Sequence, residues 1–145
     1  MKYFRRIVIA LLAVLALTFS AAPANASASW AGTLNAHDFK FGSSTYSVPT
    51  GAMAHSISGK GRSYTKWYAD AVSTRLCYGR LDLLQKSGST VISRYAGSNT
   101  SGCVGALTRT RTNGTFAANA TQACAEYRVH VLNKVIKQQC HWVTS

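Results

Sequence analysis

The sequence predicts an all-β protein, a small antiparallel β-sandwich or open barrel stapled by two disulfides, after an N-terminal signal peptide. Three observations lead to this class. Short runs rich in β-branched and aromatic residues recur along the chain and are separated by turn residues. One such run, residues 76–85, alternates between apolar and polar side chains as a half-buried strand does. All four cysteines follow an export signal, and exported proteins meet an oxidising environment.

The first 26 residues have the organisation of a secretory signal peptide. A basic start precedes an apolar run over residues 7–19, which is shorter than the about 20 residues that a membrane-spanning helix needs. We expect cleavage after Ala26, with Ala28 as the second possible site and an uncleaved anchor as the alternative. We predict a secreted, extracellular protein without a transmembrane segment after cleavage.

The rest of the chain is predicted to have two parts. Residues 27–51 are rich in Ser, Ala, Gly and Thr, which predicts a flexible lead-in with short strands at 36–41 and 45–48. Residues 52–145 are predicted to form the disulfide-stapled β domain. Its strand candidates, separated by turn residues, are residues 53–58, 62–72, 76–85, 91–95, 107–112, 123–132 and 135–143.

One dipeptide in this domain predicts a turn, and one segment allows a helix as the alternative to a strand. Asn113-Gly114 is a dipeptide typical of a tight hairpin turn. Within residues 62–72, Tyr64, Trp67, Tyr68 and Ala71 lie at helical spacing, so a helix is the alternative there. We favour a strand, because aromatic and β-branched residues prefer strands and no clear helix cap precedes this segment.

A set of glycines and cysteines carries a family resemblance: Gly59, Gly61, Cys77 with Arg80-Leu81-Asp82-Leu83, Cys103, Ala123-Cys124-Ala125 and Gln139-Cys140-His141. The arrangement resembles a loose group of small exported proteins of Gram-positive bacteria, over residues 53–143. The resemblance implies export and a β scaffold with two disulfides. It implies no activity, because that group has no assigned function.

Four cysteines allow three disulfide pairings. We prefer Cys77–Cys103 and Cys124–Cys140, because each bond closes a local loop around consecutive strands. Each disulfide is expected to stabilise the protein by about 2–4 kcal/mol.

The last hairpin sets a condition on the second pairing. A turn at Asn133-Lys134 would place Cys124 opposite Val143, too far from Cys140 for a bond. A loop of three to five residues around Leu132 would bring the two cysteines opposite each other. Either the hairpin turns around Leu132 or the pairing is different.

The net charge is the strongest functional signal. From residue 27 onward the chain has thirteen basic and four acidic residues, which gives a net charge of +9. Such a surface attracts anionic polymers and anionic lipid headgroups. We therefore predict a monomeric secreted protein that binds anionic cell-envelope polymers or membrane surfaces, with an antimicrobial role as one form of this function. Nucleic acid would bind only incidentally, and the alternative is that the charge serves solubility alone.

The predicted ligand-binding residues are basic side chains near two turns, with one interleaved aromatic residue. They are Lys60, Arg62, Lys66, Trp67, Arg109 and Arg111.

Two other functions are alternatives. A protease inhibitor would present a rigid loop near a disulfide, such as Ser98–Ala106. A ribonuclease-like toxin would use Glu126, Arg128 and His130, which alternation places on one face of one strand as base, phosphate clamp and acid. No ribonuclease motif surrounds these three residues, so a solvated polar face is the simpler interpretation, and we expect a protein that is not an enzyme.

No cofactor or metal is predicted. The cysteines lack the spacing of a metal site, and no phosphate-binding glycine loop or nucleophile elbow occurs. The four histidines that follow the signal are widely spaced, which is typical of scattered surface residues. They are His37, His55, His130 and His141.

Overall fold

The computed structural model describes residues 27–143. The predicted signal peptide and its cleavage site after Ala26 lie outside the described residues, as do residues 144–145.

Ten strands and one short 3-10 helix, His130–Leu132, make up the described fold. The strands are β1 (Ala28–Leu34), β2 (His37–Phe41), β3 (Ser44–Val48), β4 (Gly51–Lys60), β5 (Ser63–Cys77), β6 (Gly79–Ser87), β7 (Thr90–Tyr95), β8 (Cys103–Thr115), β9 (Gln122–Val129) and β10 (Lys134–Trp142). The prediction of an all-β protein is confirmed. None of the described residues forms a helix long and apolar enough to cross a membrane.

Two four-stranded antiparallel sheets pack face to face. The first sheet has the strand order β1-β4-β5-β8 and the second β10-β9-β6-β7, while β2 and β3 form a separate hairpin. The chain passes from the first sheet to the second at Tyr78, the single residue between β5 and β6, which has a φ of 48°. Trp67, Leu83 and Tyr127 are fully buried in the core. This is a sandwich-like arrangement, as predicted.

Strand β5 confirms the strand prediction for residues 62–72 and explains why its spacing resembles a helix. The register between β4 and β5 shifts between Ser58 and Gly59, which is a β-bulge. Because the bulge inserts one residue, Tyr64 and Trp67 both face the core although they are three positions apart. The apparent helical period is therefore a strand period interrupted once.

The predicted hairpin turn at Asn113-Gly114 is wrong. Both residues lie within β8, where Gly114 is opposite Tyr64 and pairing with β5 continues to Thr115. Asn113 has the positive φ, 50°, that such dipeptides favour, but uses it inside a strand. The chain turns only over residues 116–121.

Both preferred disulfides, Cys77–Cys103 and Cys124–Cys140, are confirmed. The 3-10 helix at His130–Leu132 supplies the loop around Leu132 that the second pairing needs, and it sets Cys140 directly opposite Cys124. Each bond therefore joins facing residues of neighbouring antiparallel strands.

The segment before residue 52 is built into the fold. Strands β2 and β3 confirm the two short strands predicted there. Strand β1 was not predicted, and it pairs with β4 along all seven of its residues as an edge of the first sheet.

Two segments close the ends of the sandwich. At one end, buried Phe116 and Ala120 cover the core, and the Arg62 guanidinium donates to the carbonyls of Ala117 and Ala120. At the other end, the β2–β3 hairpin packs three aromatic side chains, Phe39, Phe41 and Tyr46, around Tyr78.

Candidate functional site

The outer face of the second sheet carries a network of five charged side chains, which we call the arginine–carboxylate network. Arg80 and Asp82 come from β6, Arg94 from β7, and Glu126 and Arg128 from β9. Strand register places Asp82 opposite Glu126 and Arg80 opposite Arg128. Because side chains alternate along a strand, all of them project from the face that turns away from the core.

Short ion pairs connect the members of the network. Arg94 Nη1 lies 2.6 Å from Asp82 Oδ2 and 2.7 Å from Glu126 Oε1, so one nitrogen bridges both carboxylates. Arg128 Nη2 lies 2.6 Å from Glu126 Oε1. Arg80 Nη2 donates to Asp82 Oδ2 at 3.0 Å. Three guanidinium groups therefore hold two carboxylates in place.

The two carboxylates are sealed from solvent although they lie on an outer face. Asp82 is 0% exposed and Glu126 is 3% exposed. The loop after β7 contributes to this enclosure, because the Gly97 N–H donates to Asp82 Oδ1 at 3.0 Å. The long arginine side chains have apolar stems that cover surface while their charged ends stay paired.

The charge state of Glu126 follows from its partners. Burial alone raises the pKa of Glu126, but hydrogen bonds and charge from Arg94 and Arg128 outweigh burial and hold the pKa below its usual value. A general acid or base works best with a pKa near the operating pH. Glu126 is therefore suited to fixing arginines and not to moving protons.

The structure brings together only two of the three residues that a ribonuclease-like toxin would use, Glu126, Arg128 and His130. The first two are paired, but they are buried, so the interpretation as a solvated polar face is wrong. The expectation that all three share one strand face is also wrong, because β9 ends at Val129. His130 begins the 3-10 helix, and its Nε2 lies 2.8 Å from the carbonyl oxygen of Thr100.

The predicted ligand-binding residues have different surroundings. Lys60 and Lys66 are exposed at one end of the first sheet. Trp67 is 0% exposed and donates its indole N–H to His55 in the core, which corrects its prediction as a ligand contact. Arg62 binds the closing loop, as described above, and so has a structural partner.

Arg109 and Arg111 close one side of the sandwich, where edge strand β8 approaches edge strand β7. Arg109 Nε donates to the carbonyl of Tyr95 at 3.3 Å. The Arg111 guanidinium lies 3.7 Å from the centre of the Tyr95 ring and donates to Tyr64 Oη. Cation–π contact and hydrogen bonds hold both side chains against the protein.

The histidines do not gather into a metal site. Among residues 27–143, no group of three or more His, Cys, Asp or Glu is placed to hold a metal ion. The rings of His55 and His141 stack at 4.7 Å, and Trp67 Nε1 donates to His55 Nε2 at 2.8 Å. Burial, together with His141, lowers the pKa of His55 to about 3, so His55 is neutral. Its alternation with Met53 and Ile57 in the sequence could have indicated this inward position.

The loop considered for protease inhibition is tied to the protein. Its residues 103–106 belong to β8. In the remaining part, Gly102 O accepts from Tyr78 N–H at 2.8 Å and Thr100 N–H donates to Gly79 O at 3.2 Å. This backbone is therefore engaged by the body of the molecule.

Gly97→Ala is expected to destabilise the protein by about 1–3 kcal/mol through backbone strain and a weakened bond to Asp82. A Cβ on Gly97 would lie 2.3 Å from the backbone oxygen of Leu81, which cannot be accommodated without movement. Urea denaturation measures the change. The matched control is Gly102→Ala, where a Cβ meets nothing within 4 Å. Equal stability of the two variants would contradict the close packing at Gly97.

Comparisons of this chain with protein-family models, with curated proteins and with solved structures find no match. The functional argument therefore rests on the charges and contacts of the chain itself.

Proposed function

We propose that this protein is a secreted basic protein that binds anionic polymers or membrane surfaces of the cell envelope. One observation carries the proposal: the fold hides half of the acidic residues. Asp82 and Glu126 are sealed in the arginine–carboxylate network, which leaves Asp38 and Asp70 as the acids outside it. Outside the network, ten basic side chains are accompanied by only these two acids.

The exposed pair Lys60 and Lys66, which we call the turn patch, is a candidate contact. Lys66 lies on the outer face of the first sheet, opposite Ser58 on one side and Thr112 on the other. The Lys66 ammonium lies 5.0 Å from the centre of the Tyr68 ring, and the exposed side chains of both lysines are accessible to an extended anion. Arg62 is left out because the closing loop uses its guanidinium.

The physical basis is long-range attraction that salt weakens. A basic residue near an anionic surface contributes about 1 kcal/mol. The attraction is screened over about 10 Å at 0.1 M salt. Several lysines and arginines acting together therefore give binding that falls steeply as salt rises.

The double variant Lys60→Gln, Lys66→Gln is expected to bind isolated Gram-positive walls and anionic vesicles about thirtyfold more weakly at 0.05 M salt, from the loss of two such contributions. Cosedimentation across a salt series, with uncharged vesicles alongside, measures this. The matched control is Lys40→Gln, Lys134→Gln, which removes the same charge from two other exposed positions.

Equal weakening in both double variants would support binding by overall charge and contradict the turn patch. Absence of retention by the unaltered protein at low salt would overturn the proposed function itself.

A further inference from the structure

We propose that the outer face of the second sheet binds the phosphate group of an anionic ligand between Arg94 and Lys86, which we call the phosphate site. The inference rests on the proposed function, because it specifies phosphate as the chemical group of the anionic ligand that is bound. It uses residues apart from the turn patch, so the two can be tested separately.

The carboxylates of the network are already fully engaged. Asp82 Oδ1 accepts from the Gly97 N–H, and Oδ2 accepts from Arg80 and Arg94. Glu126 Oε1 accepts from Arg94 and Arg128. Its Oε2 accepts from Gln138 Nε2 at 2.8 Å. All four oxygens are therefore occupied, and an approaching anion meets no unpaired carboxylate.

Arg94 differs from the other two arginines in having donors to spare. Arg128 donates hydrogen bonds from all three guanidinium nitrogens, and Arg80 donates from Nη1 and Nη2 while its Nε lies 2.8 Å from Asp82 Oδ1 in an ion pair. Arg94 makes both of its ion pairs through Nη1, and within residues 27–143 its Nε and Nη2 have no hydrogen-bond partner. The side chain is 28% exposed. Two donor nitrogens of a firmly held guanidinium therefore remain for a ligand.

Lys86 supplies a second cation on the same face. Its Nζ donates to Gln138 Oε1 at 3.0 Å, and Gln138 in turn donates to Glu126, so the lysine is joined to the network. With Lys86 included, four basic groups face two carboxylates, which leaves two positive charges in excess. An ammonium group has three donors, and this contact uses one.

Strand register brings Arg94 and Lys86 close together. Arg94 lies opposite Leu84, and Lys86 follows Leu84 two positions later on β6. Arg94 and Lys86 are therefore diagonal neighbours, with Cα atoms about 7–8 Å apart. Leu84 is a neighbour of both residues and is fully buried. One tetrahedral anion on the solvent side of Leu84 can accept hydrogen bonds from both cations.

Trp142 marks the edge of the same surface. Trp142 on β10 lies opposite Gln122 on β9, and Gln122 lies opposite Lys86 on β6. The Cα atoms of Trp142 and Lys86 are therefore two strand spacings, about 10 Å, apart. The Trp142 side chain is 73% exposed. An exposed indole beside a phosphate site offers a flat apolar face to the group that carries the phosphate. It also provides a fluorescent reporter of binding.

Phosphate is the anion that this geometry favours. The planar edge of a guanidinium donates in a fork that matches two phosphate oxygens, and a nearby ammonium takes a third. Because Asp82 and Glu126 already orient Arg94, little conformational entropy is lost when a ligand binds. Phosphate of this kind occurs in phosphate-bearing wall polymers and in lipid headgroups, and the test separates the two sources.

The first measurement is a titration of the oxidised protein from residue 27 onward with glycerol 3-phosphate, at constant ionic strength kept by sodium chloride. We expect a saturable shift of the Arg94 Nε–H resonance and a saturable change in fluorescence that Trp142→Phe removes. Uniform, unsaturable shifts of all basic side chains would overturn the phosphate site.

Lys86→Gln is expected to weaken glycerol 3-phosphate binding about tenfold, the usual effect of losing a hydrogen bond to a charged group. Lys60→Gln is the matched control, since it removes the same charge from the turn patch. Arg94→Lys keeps the charge and loses the guanidinium fork, so it is expected to bind more weakly if it folds. If Arg94→Lys does not fold, the comparison of Lys86→Gln with Lys60→Gln still tests the site. Equal weakening by Lys86→Gln and Lys60→Gln would overturn the site.

The source of the phosphate is tested with poly(glycerol phosphate) and with phosphatidylglycerol vesicles. Weaker binding of Lys86→Gln to one of them supports the site and identifies that source, whereas unchanged binding to both overturns it. Saturable glycerol phosphate binding without envelope retention would sustain the site and overturn the proposed function. Envelope retention without saturable glycerol 3-phosphate binding would sustain the proposed function and overturn the phosphate site.

Discussion

Replacing Asp82 by Asn is expected to lower the free energy of unfolding by about 3–5 kcal/mol, the usual cost of removing one partner of a buried ion pair. Asp82 is fully buried and accepts from Arg80 and Arg94. Without the charge of Asp82, Arg80 loses its carboxylate partner, and Arg94 and Arg128 share Glu126. The loss is a large part of the about 5–15 kcal/mol that stabilises a typical domain.

Urea denaturation of the Asp82→Asn protein, monitored by far-ultraviolet circular dichroism, measures this change. The matched control is Asp38→Asn on the β2–β3 hairpin, where the carboxylate is exposed. We expect that control to lie within about 0.5 kcal/mol of the unaltered protein. A similar, small effect of both substitutions would show that the network contributes little to stability.

The second large effect is a loss of stability as pH falls from about 6.5 to 3. The folded protein keeps His55 neutral because burial and His141 lower its pKa to about 3, whereas the unfolded chain takes up a proton near 6.5. Within that window the unfolded state binds more protons, so acid favours unfolding. The slope approaches about 1.4 kcal/mol per pH unit, and the full loss approaches 4–5 kcal/mol.

The pH range separates His55 from the network. Glu126 has a lowered folded pKa, so its contribution is present above its unfolded value of 4.5 and is lost only as pH falls below that value. Stability measured between pH 6.5 and 5 therefore reports mainly on His55. His55→Gln is expected to flatten the curve in that range, and His37→Gln, on the hairpin, to keep it. Parallel curves for the native protein and His55→Gln would refute this account.

Much of the strand pattern could be predicted from the sequence because it depends on local chemistry. Alternation and turn residues located β4 to β7 and both strands of the last hairpin, and the geometric needs of Cys124–Cys140 located the turn at Leu132. The unpredicted β1 has no strong alternation of large apolar residues, since it is an edge strand with mostly small side chains. Asn113-Gly114 failed as a turn because pairing with β5 overrides a local preference.

The candidate site could be predicted only in part. Alternation correctly put Glu126 and Arg128 side by side, since they are two residues apart on one strand. Nothing in the sequence linked them to Arg94 or Asp82, which lie more than thirty positions away from Glu126 in chain order. Their meeting depends on β6 pairing with both β7 and β9.

The sequence by itself determined an all-β chain with two local disulfides and a large excess of positive charge, because these follow from residue types and short spacings. Only the tertiary structure decided which charges remain available. Pairing of distant strands seals Asp82 and Glu126 beneath three arginines and buries Trp67. Within residues 27–143 it also leaves two donor nitrogens of Arg94 unused. Whether a side chain is buried depends on which other strands pack next to it, and the amino-acid composition does not contain that information.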